Sequence, residues 1–218
     1  MTRRQSAYSK SQSTKDRCYT PPYAVELIIP YLHTGAVVWE PACGAGFMAW
    51  ALMDAGFEVV ATDIESGVDF LTVEITGYDV IVTNPPYQTE LKAGFIERCV
   101  KFCRPFALLM QVDSLCPINY AQWFKDIDIQ LVIPYGGGRI DYFMPNNGYS
   151  RGGANFDSAW FTWGLNLPKQ INYIEYQKPD EAAVLYSVER LRLKYGQLEL
   201  SPLAIEVGGE LYTQGLLV

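Results

Sequence analysis

Short apolar runs that stop abruptly at glycine or proline alternate along this chain with stretches of helical composition. That alternation constrains the fold more than any other feature. Residues 37–40 (VVWE) end at Pro41 and a glycine pair, and 58–64 (EVVATDI) follow a helical stretch that closes at Gly56. Residues 79–83 (DVIVT) end at Asn84-Pro-Pro, and further strands are expected at 106–112, 129–133 and 159–163. Helices are expected over 47–55, 89–103 and 120–127. Strands that alternate with helices need right-handed crossovers, so the expected architecture is α/β, with a mostly parallel sheet covered on both faces.

A chain of 218 residues suits one such domain with a modest appendage. Residues 1–17 carry no apolar periodicity and read as a flexible basic arm. Residues 18–168 hold the alternating pattern. Residues 169–218 are less legible, with a strand expected at 171–176 and a helix near 181–195, and read as an extension packed on the domain. The Cys18-Tyr-Thr-Pro-Pro segment reads as a helix entry, with Thr20 as N-cap and Pro21 in the first turn.

Hydrophobic residues make up 49% and charged residues 19%, enough for a large core and too apolar for wholesale disorder. No apolar run approaches the roughly 18 residues of a membrane span, and the polar N-terminus lacks a secretory h-region. Five scattered cysteines without a C-x-x-C pair argue against a disulfide framework or a zinc knuckle, and cytoplasmic residence is expected. Cys99 and Cys103, spaced i, i+4 on the third helix, read as core residues. His33 is the single histidine, so His-based acid–base chemistry and His-ligated metals have little to build on, and no metal is expected. The net charge of -7 lacks the basic footprint of a typical nucleic-acid binder, although residues 1–20 hold five basic groups against one acidic.

Two motifs carry chemistry. The first is Glu40-Pro-Ala-Cys-Gly-Ala-Gly46, set between a strand and a helix. In a doubly wound sheet this turn opens the ligand crevice, and glycine lets backbone approach a ligand closely. Ala49 stands where the third glycine of a dinucleotide fingerprint would be, and Glu40 is a poor neighbour for a pyrophosphate. A carboxylate there suits a ligand with a cationic group. Asp63, ending the next strand, is placed to accept hydrogen bonds from ribose hydroxyls.

The second motif is Asn84-Pro85-Pro86-Tyr87, where two prolines stop the 79–83 strand and free the local carbonyls to face the crevice. An exocyclic nucleobase amine is a poor nucleophile because its lone pair is delocalised into the ring. The Asn84 amide oxygen and the Pro85 carbonyl can take both of its N–H groups and draw the nitrogen toward tetrahedral geometry. Tyr87 offers a flat face on which an extruded base can stack.

With these motifs in this order, residues 18–165 resemble the S-adenosylmethionine-dependent amino-methyltransferases, above all bacterial and phage DNA adenine-N6 methyltransferases. The resemblance implies a Rossmann-like, seven-stranded sheet with a reversed last strand and S-adenosylmethionine as methyl donor. It implies cofactor contacts from Tyr19, Thr20 and Pro21, from Glu40, Pro41, Ala42, Cys43, Gly44 and Gly46, and from Asp63, Ile64, Asp69, Phe70 and Asn84. Asp69 and Phe70 would recognise the cofactor's adenine. Asn84, Pro85, Pro86 and Tyr87 would form the catalytic tetrapeptide, and Phe156 and Trp160 would help to hold a flipped base. DNA is the expected partner, with no membrane association.

Such enzymes usually carry a target-recognition domain, and only 113–158 and 169–218 have room for one. Either specificity is loose, as in small phage enzymes, or a partner or oligomer supplies it. The glycine-rich stretch 136–155 reads as a long loop whose Arg139 and Arg151 can meet phosphates. The same amino chemistry also suits RNA, cytosine N4 or a protein glutamine amide. A non-catalytic cofactor-binding subunit of a modification complex is the alternative from a different class.

Overall fold

Strands and helices alternate along the chain, and several of the strands stop at proline or glycine. The strands are β1 (Val37–Glu40), β2 (Glu58–Ala61), β3 (Val80–Thr83), β4 (Phe106–Gln111), β5 (Gln130–Tyr135), β6 (Phe143–Met144), β7 (Gly148–Tyr149), β8 (Ser158–Trp163) and β9 (Ile171–Glu175). This is a computed structural model that describes residues 18–144, 148–149, 155–196, 200–207 and 210–217. The basic arm 1–17 and Arg151 lie outside the described residues.

Seven strands make one sheet in the order β2-β1-β3-β4-β8-β5-β9. The β2/β1, β1/β3, β3/β4 and β5/β9 pairings are parallel, whereas β8 runs antiparallel to both β4 and β5. The sheet is thus mostly parallel, as the strand–helix alternation leads one to expect, and it carries one reversed strand, as the family resemblance implies. β9 follows the reversed strand in sequence and extends the sheet past β5. β6 and β7 form a separate two-stranded ribbon, and Leu200–Val207 pairs with Glu210–Leu217 as an antiparallel hairpin.

Side chains of the central strands alternate between two cores, as the period of two requires. Val38, Val82, Ala107 and Leu109 pack on one face under α1 (Pro22–Glu26), α2 (Phe47–Asp54) and, further along, α5 (Glu181–Tyr195). Trp39, Ile81, Phe106 and Leu108 pack on the other under α3 (Thr89–Phe102) and α4 (Ile118–Phe124). α5 buries Val184, Val188 and Leu191 and is tied to the end of α2 through Asp54. That carboxylate accepts from Arg190 Nη2 at 2.7 Å and Lys194 Nζ at 2.9 Å. These hydrogen bonds hold the Asp54 carboxyl well below the usual carboxylate range.

Two local expectations are corrected. Thr20 does not cap α1: Pro21 occupies the N-cap position without a side-chain hydrogen bond, and the Thr20 hydroxyl points elsewhere. Cys103 is exposed, because α3 ends there in a left-handed conformation (φ 49°), while Cys99 is fully buried.

Candidate functional site

The carboxyl ends of β1 and β3 lie side by side, and the two motifs meet across that edge. Glu40 is 1% exposed; its Oε1 accepts from Thr83 Oγ1 at 2.6 Å and from the Ala42 backbone N–H at 3.2 Å. Burial outweighs these bonds and pushes the Glu40 carboxyl up to about 8, with Asp63 adding to the rise. The same burial, together with Glu40 and Asp63, pushes the Cys43 thiol well above its ordinary value, so Cys43 is no nucleophile.

The glycine loop is pinned from two sides. Asp63 Oδ2 accepts from the Gly44 N–H at 2.9 Å, while its Oδ1 accepts from Glu65 N–H at 2.9 Å. The N-terminal segment crosses over the loop: Tyr19 exchanges backbone hydrogen bonds with Phe143 at 2.8 and 3.0 Å, and its ring lies against Gly44. Gly44 has φ +50°, and a Cβ there would sit 2.8 Å from Tyr19 Cε1. A Gly44→Ala variant is therefore expected to shift Tyr19 off the cleft and to lose about 1–3 kcal/mol of stability. Ligand affinity by calorimetry and Tm by calorimetric scan both check this; a variant unchanged in both removes the close approach as a requirement.

Asn84 closes the cleft from the β3 side. Its Nδ2 donates to the Cys18 carbonyl at 3.0 Å and to Thr20 Oγ1 at 3.1 Å. Because a carbonyl can only accept, the Cys18 contact fixes which amide atom faces the N-terminal segment. Asn84 Oδ1 is then buried with no hydrogen-bond partner. The Tyr87 hydroxyl is likewise buried without a partner; it lies near Asn84 and Tyr142 but in hydrogen-bonding geometry with neither. Burial raises the Tyr87 phenol well above its ordinary value, so it stays protonated. A buried oxygen left unpaired costs about 1–3 kcal/mol, and two neighbouring ones mark a place built for something else to fill.

The cleft has an empty volume of about 260 Å³, counting its open mouth, and is lined by Cys18, Tyr19, Thr20, Glu40, Ala42, Cys43, Phe47, Met48 and Asn84. Six of these are residues the sequence singled out; Cys18, Phe47 and Met48 are additions that no motif flagged. Pro21 and Pro41 are buried beside the cleft, Gly44 and Gly46 shape the loop, and Ile64 is half-buried after Asp63. Pro85 is buried and Pro86 half-buried beside Asn84. Asp69 Oδ1 accepts from the Leu71 N–H at 2.9 Å and closes a turn.

Phe70 and Trp160 are not at the site. Phe70 is 2% exposed, enclosed by Trp39 and Phe95 at ring-centroid distances of 5.1 and 4.4 Å, so no face is open to a ligand. Trp160 is fully buried on β8, and its Nε1–H donates to the Ala24 carbonyl at 3.1 Å. Both are core aromatics. Phe156 does stand beside Tyr87, with ring centroids 5.2 Å apart at 48°. Arg139 is half-exposed and pairs with Asp157 at 3.2 Å.

Among the described residues no group of three or more His, Cys, Asp or Glu side chains forms a metal cage, and no helix is long and apolar enough to cross a membrane.

The sequence matches no protein-family model and no curated protein. Solved structures do match in fold, and three of them, each provisionally classed by those who solved it, illustrate the likeness. A class I S-adenosylmethionine-dependent methyltransferase from Listeria monocytogenes is 12% identical over 85% of this chain and 75% of the other, with a TM-score of 0.50. A modification subunit of a type I restriction enzyme from Vibrio vulnificus is 12% identical, covering 97% of this chain and 57% of its own, with a TM-score of 0.49. An RNA methyltransferase from Pyrococcus horikoshii is 14% identical, covering 75% and 98%, with a TM-score of 0.48. At such identities the likeness is one of fold, and the fold is the Rossmann-like, class I methyltransferase arrangement.

Proposed function

We propose that the chain is an S-adenosylmethionine-dependent methyltransferase acting on the exocyclic N6 amine of adenine in DNA, after the base is flipped out of the duplex. The observation that carries this reading is the orphaned Asn84 Oδ1, buried at the wall of the cleft that Glu40 and the glycine loop define. The residues present fit the cofactor. A buried carboxyl at Glu40 suits an ammonium group, Asp63 a ribose, and Ile64 the edge of an adenine ring. When bound, S-adenosylmethionine supplies a methyl carbon made electrophilic by its sulfonium sulfur.

The chain's own groups do the rest. Asn84 Oδ1 accepts one N–H of the target amine and the Pro85 carbonyl accepts the other, which localises the nitrogen lone pair and aims it at the methyl carbon. With the cofactor bound, methyl transfer to the nitrogen held in this way would leave it cationic, and it would then release one proton to solvent. No side chain has to act as a strong base, which agrees with a site whose titratable groups, Glu40 and Tyr87, are both shifted toward their protonated forms. Tyr87 and Phe156 would flank the flipped ring, with Arg139 and Arg151 toward phosphates. Phage or prophage origin and cytoplasmic residence belong to the same reading.

Asp63→Ala is expected to weaken cofactor binding about tenfold or more, because it removes both the ribose acceptor and the Gly44 anchor. Titration calorimetry checks it, and an unchanged dissociation constant would remove the assignment. Methylation of unmodified genomic DNA, followed by long-read mapping of modified bases, tests acceptor and sequence context together. Net charge favours one further reading: a chain at -7 is a weak polyanion binder, and a structured RNA or a protein amide can present the same planar amine. Running RNA and protein fractions beside the DNA separates these outcomes.

A further inference from the structure

Among the described residues, Lys92 is a buried charged side chain near the tetrapeptide that neither motif explains. It lies on α3, five residues past Tyr87, and is 2% exposed. Its ammonium sits 5.5 Å from the centroid of the Tyr87 ring and 5.1 Å from that of Tyr120. It donates to Gln111 Oε1 at 3.1 Å, at the end of β4, and to Ser114 Oγ at 3.3 Å in the turn that follows. Burying an ammonium is costly unless oxygens and π faces replace its water. Here both kinds of partner are supplied, from three different elements, and the attraction acts in return on each ring.

Tyr87 has few other constraints. Its hydroxyl makes no hydrogen bond, and its ring otherwise meets Phe156 at 48° and Tyr142 edge-on at 79°. A fixed cation against one face of the ring adds a restraint on its plane to those aromatic contacts. We propose that Lys92 is a positioning residue: its ammonium, anchored by Gln111 and Ser114 and shared with Tyr120, sets the ring plane of Tyr87 and so the width of the acceptor slot beside Asn84. The catalytic edge of β3 is thereby tied to the segment 111–120, and a displacement of that segment by a bound acceptor reaches Tyr87 through one side chain. The effect on turnover rests on the amino-methyltransferase reading above; the effect on the Tyr87 ring does not.

The test compares the full-length protein with Lys92→Met, which keeps length and removes charge, and with Lys92→Arg, which keeps charge. In DNA methylation, Lys92→Met is expected to lower kcat about tenfold or more with the dissociation constant for S-adenosylhomocysteine within twofold of the parent. Lys92→Arg should recover most of the loss. A second readout needs no turnover: ring signals of Tyr87 in protein labelled with 13C-tyrosine and assigned by Tyr87→Phe. They should broaden or average in Lys92→Met and return in Lys92→Arg.

A folded Lys92→Met with parental Tyr87 ring signals overturns the proposal, whatever the acceptor proves to be. Altered ring signals in a protein that methylates no nucleic acid would support the positioning role while defeating the acceptor assignment. Should Lys92→Met not fold, Gln111→Leu removes an oxygen that holds the ammonium and carries the same readouts. Unchanged ring signals there count against the proposal equally.

Discussion

Asn84→Ala is expected to lower turnover about a thousandfold while weakening cofactor affinity only several-fold. Removing one preorganised hydrogen-bonding group aimed at a reacting centre costs about 10²–10³ in rate. On the proposed reading the alanine also removes the group that would pair with the Pro85 carbonyl to reshape the amine. The smaller binding loss has a separate source. Asn84 Nδ2 holds the Cys18 carbonyl and the Thr20 hydroxyl, so truncation loosens the segment that lines the cleft opposite the glycine loop. Rapid-quench turnover beside calorimetry separates the two effects. Equal losses in both would mean that Asn84 serves as a structural tie and nothing more.

The second large effect concerns Glu40 and pH. Its folded-state pKa of about 8 lies above the ordinary value of 4.5, so between those limits the folded protein keeps a proton that the unfolded chain releases. Stability contributed through this group is complete below 4.5 and is lost as pH rises to about 8. Over that span the loss approaches about 5 kcal/mol at 1.36 kcal/mol per unit. Glu40→Gln cannot ionise. Its Tm relative to the parent should climb from pH 5 to about pH 8 and level off above that, and a flat difference would show that Glu40 titrates normally.

Cofactor binding should run the other way. A cationic ammonium beside Glu40 favours the carboxylate, so binding at neutral pH expels a proton. Affinity should rise toward tenfold per pH unit and level off above about 8. Calorimetry in buffers of different ionisation enthalpy counts that proton. Glu40→Gln should lose both the proton and about 2–5 kcal/mol of affinity, the cost of truncating one side of a buried charge pair.

Much of this arrangement is written in short sequence intervals. A strand that stops at a glycine loop, and another that stops at two prolines, place Glu40 and Asn84 on one edge, because parallel strands put their carboxyl ends together. What lies across long intervals is not legible. The Asn84 tie to Thr20 spans 64 residues, and Thr83 reveals itself as the partner of Glu40 only once β1 and β3 are neighbours. Thr20 before Pro21 has the local signature of a helix cap, yet a tertiary partner claimed its hydroxyl.

Aromatic residues misled for a related reason. On β8 both faces of the sheet are covered, so Trp160 and Phe161 are both fully buried and alternation cannot tell a ligand-facing ring from a core one. Phe70, which the family resemblance assigned to the cofactor's adenine, follows a turn-forming Asp69, but the turn folds inward against Trp39 and Phe95. Lys92 carries no sequence signal at all, since a lysine on an amphipathic helix belongs to the solvated face by default.

Incubation of unmodified DNA with methyl-deuterated S-adenosylmethionine, followed by mass spectrometry of the released nucleosides, tests the central claim most directly. The expected result is deuterated N6-methyldeoxyadenosine with the parent protein and none with Asn84→Ala. Label recovered on another nucleoside, on RNA or protein alone, or undiminished in Asn84→Ala would contradict it.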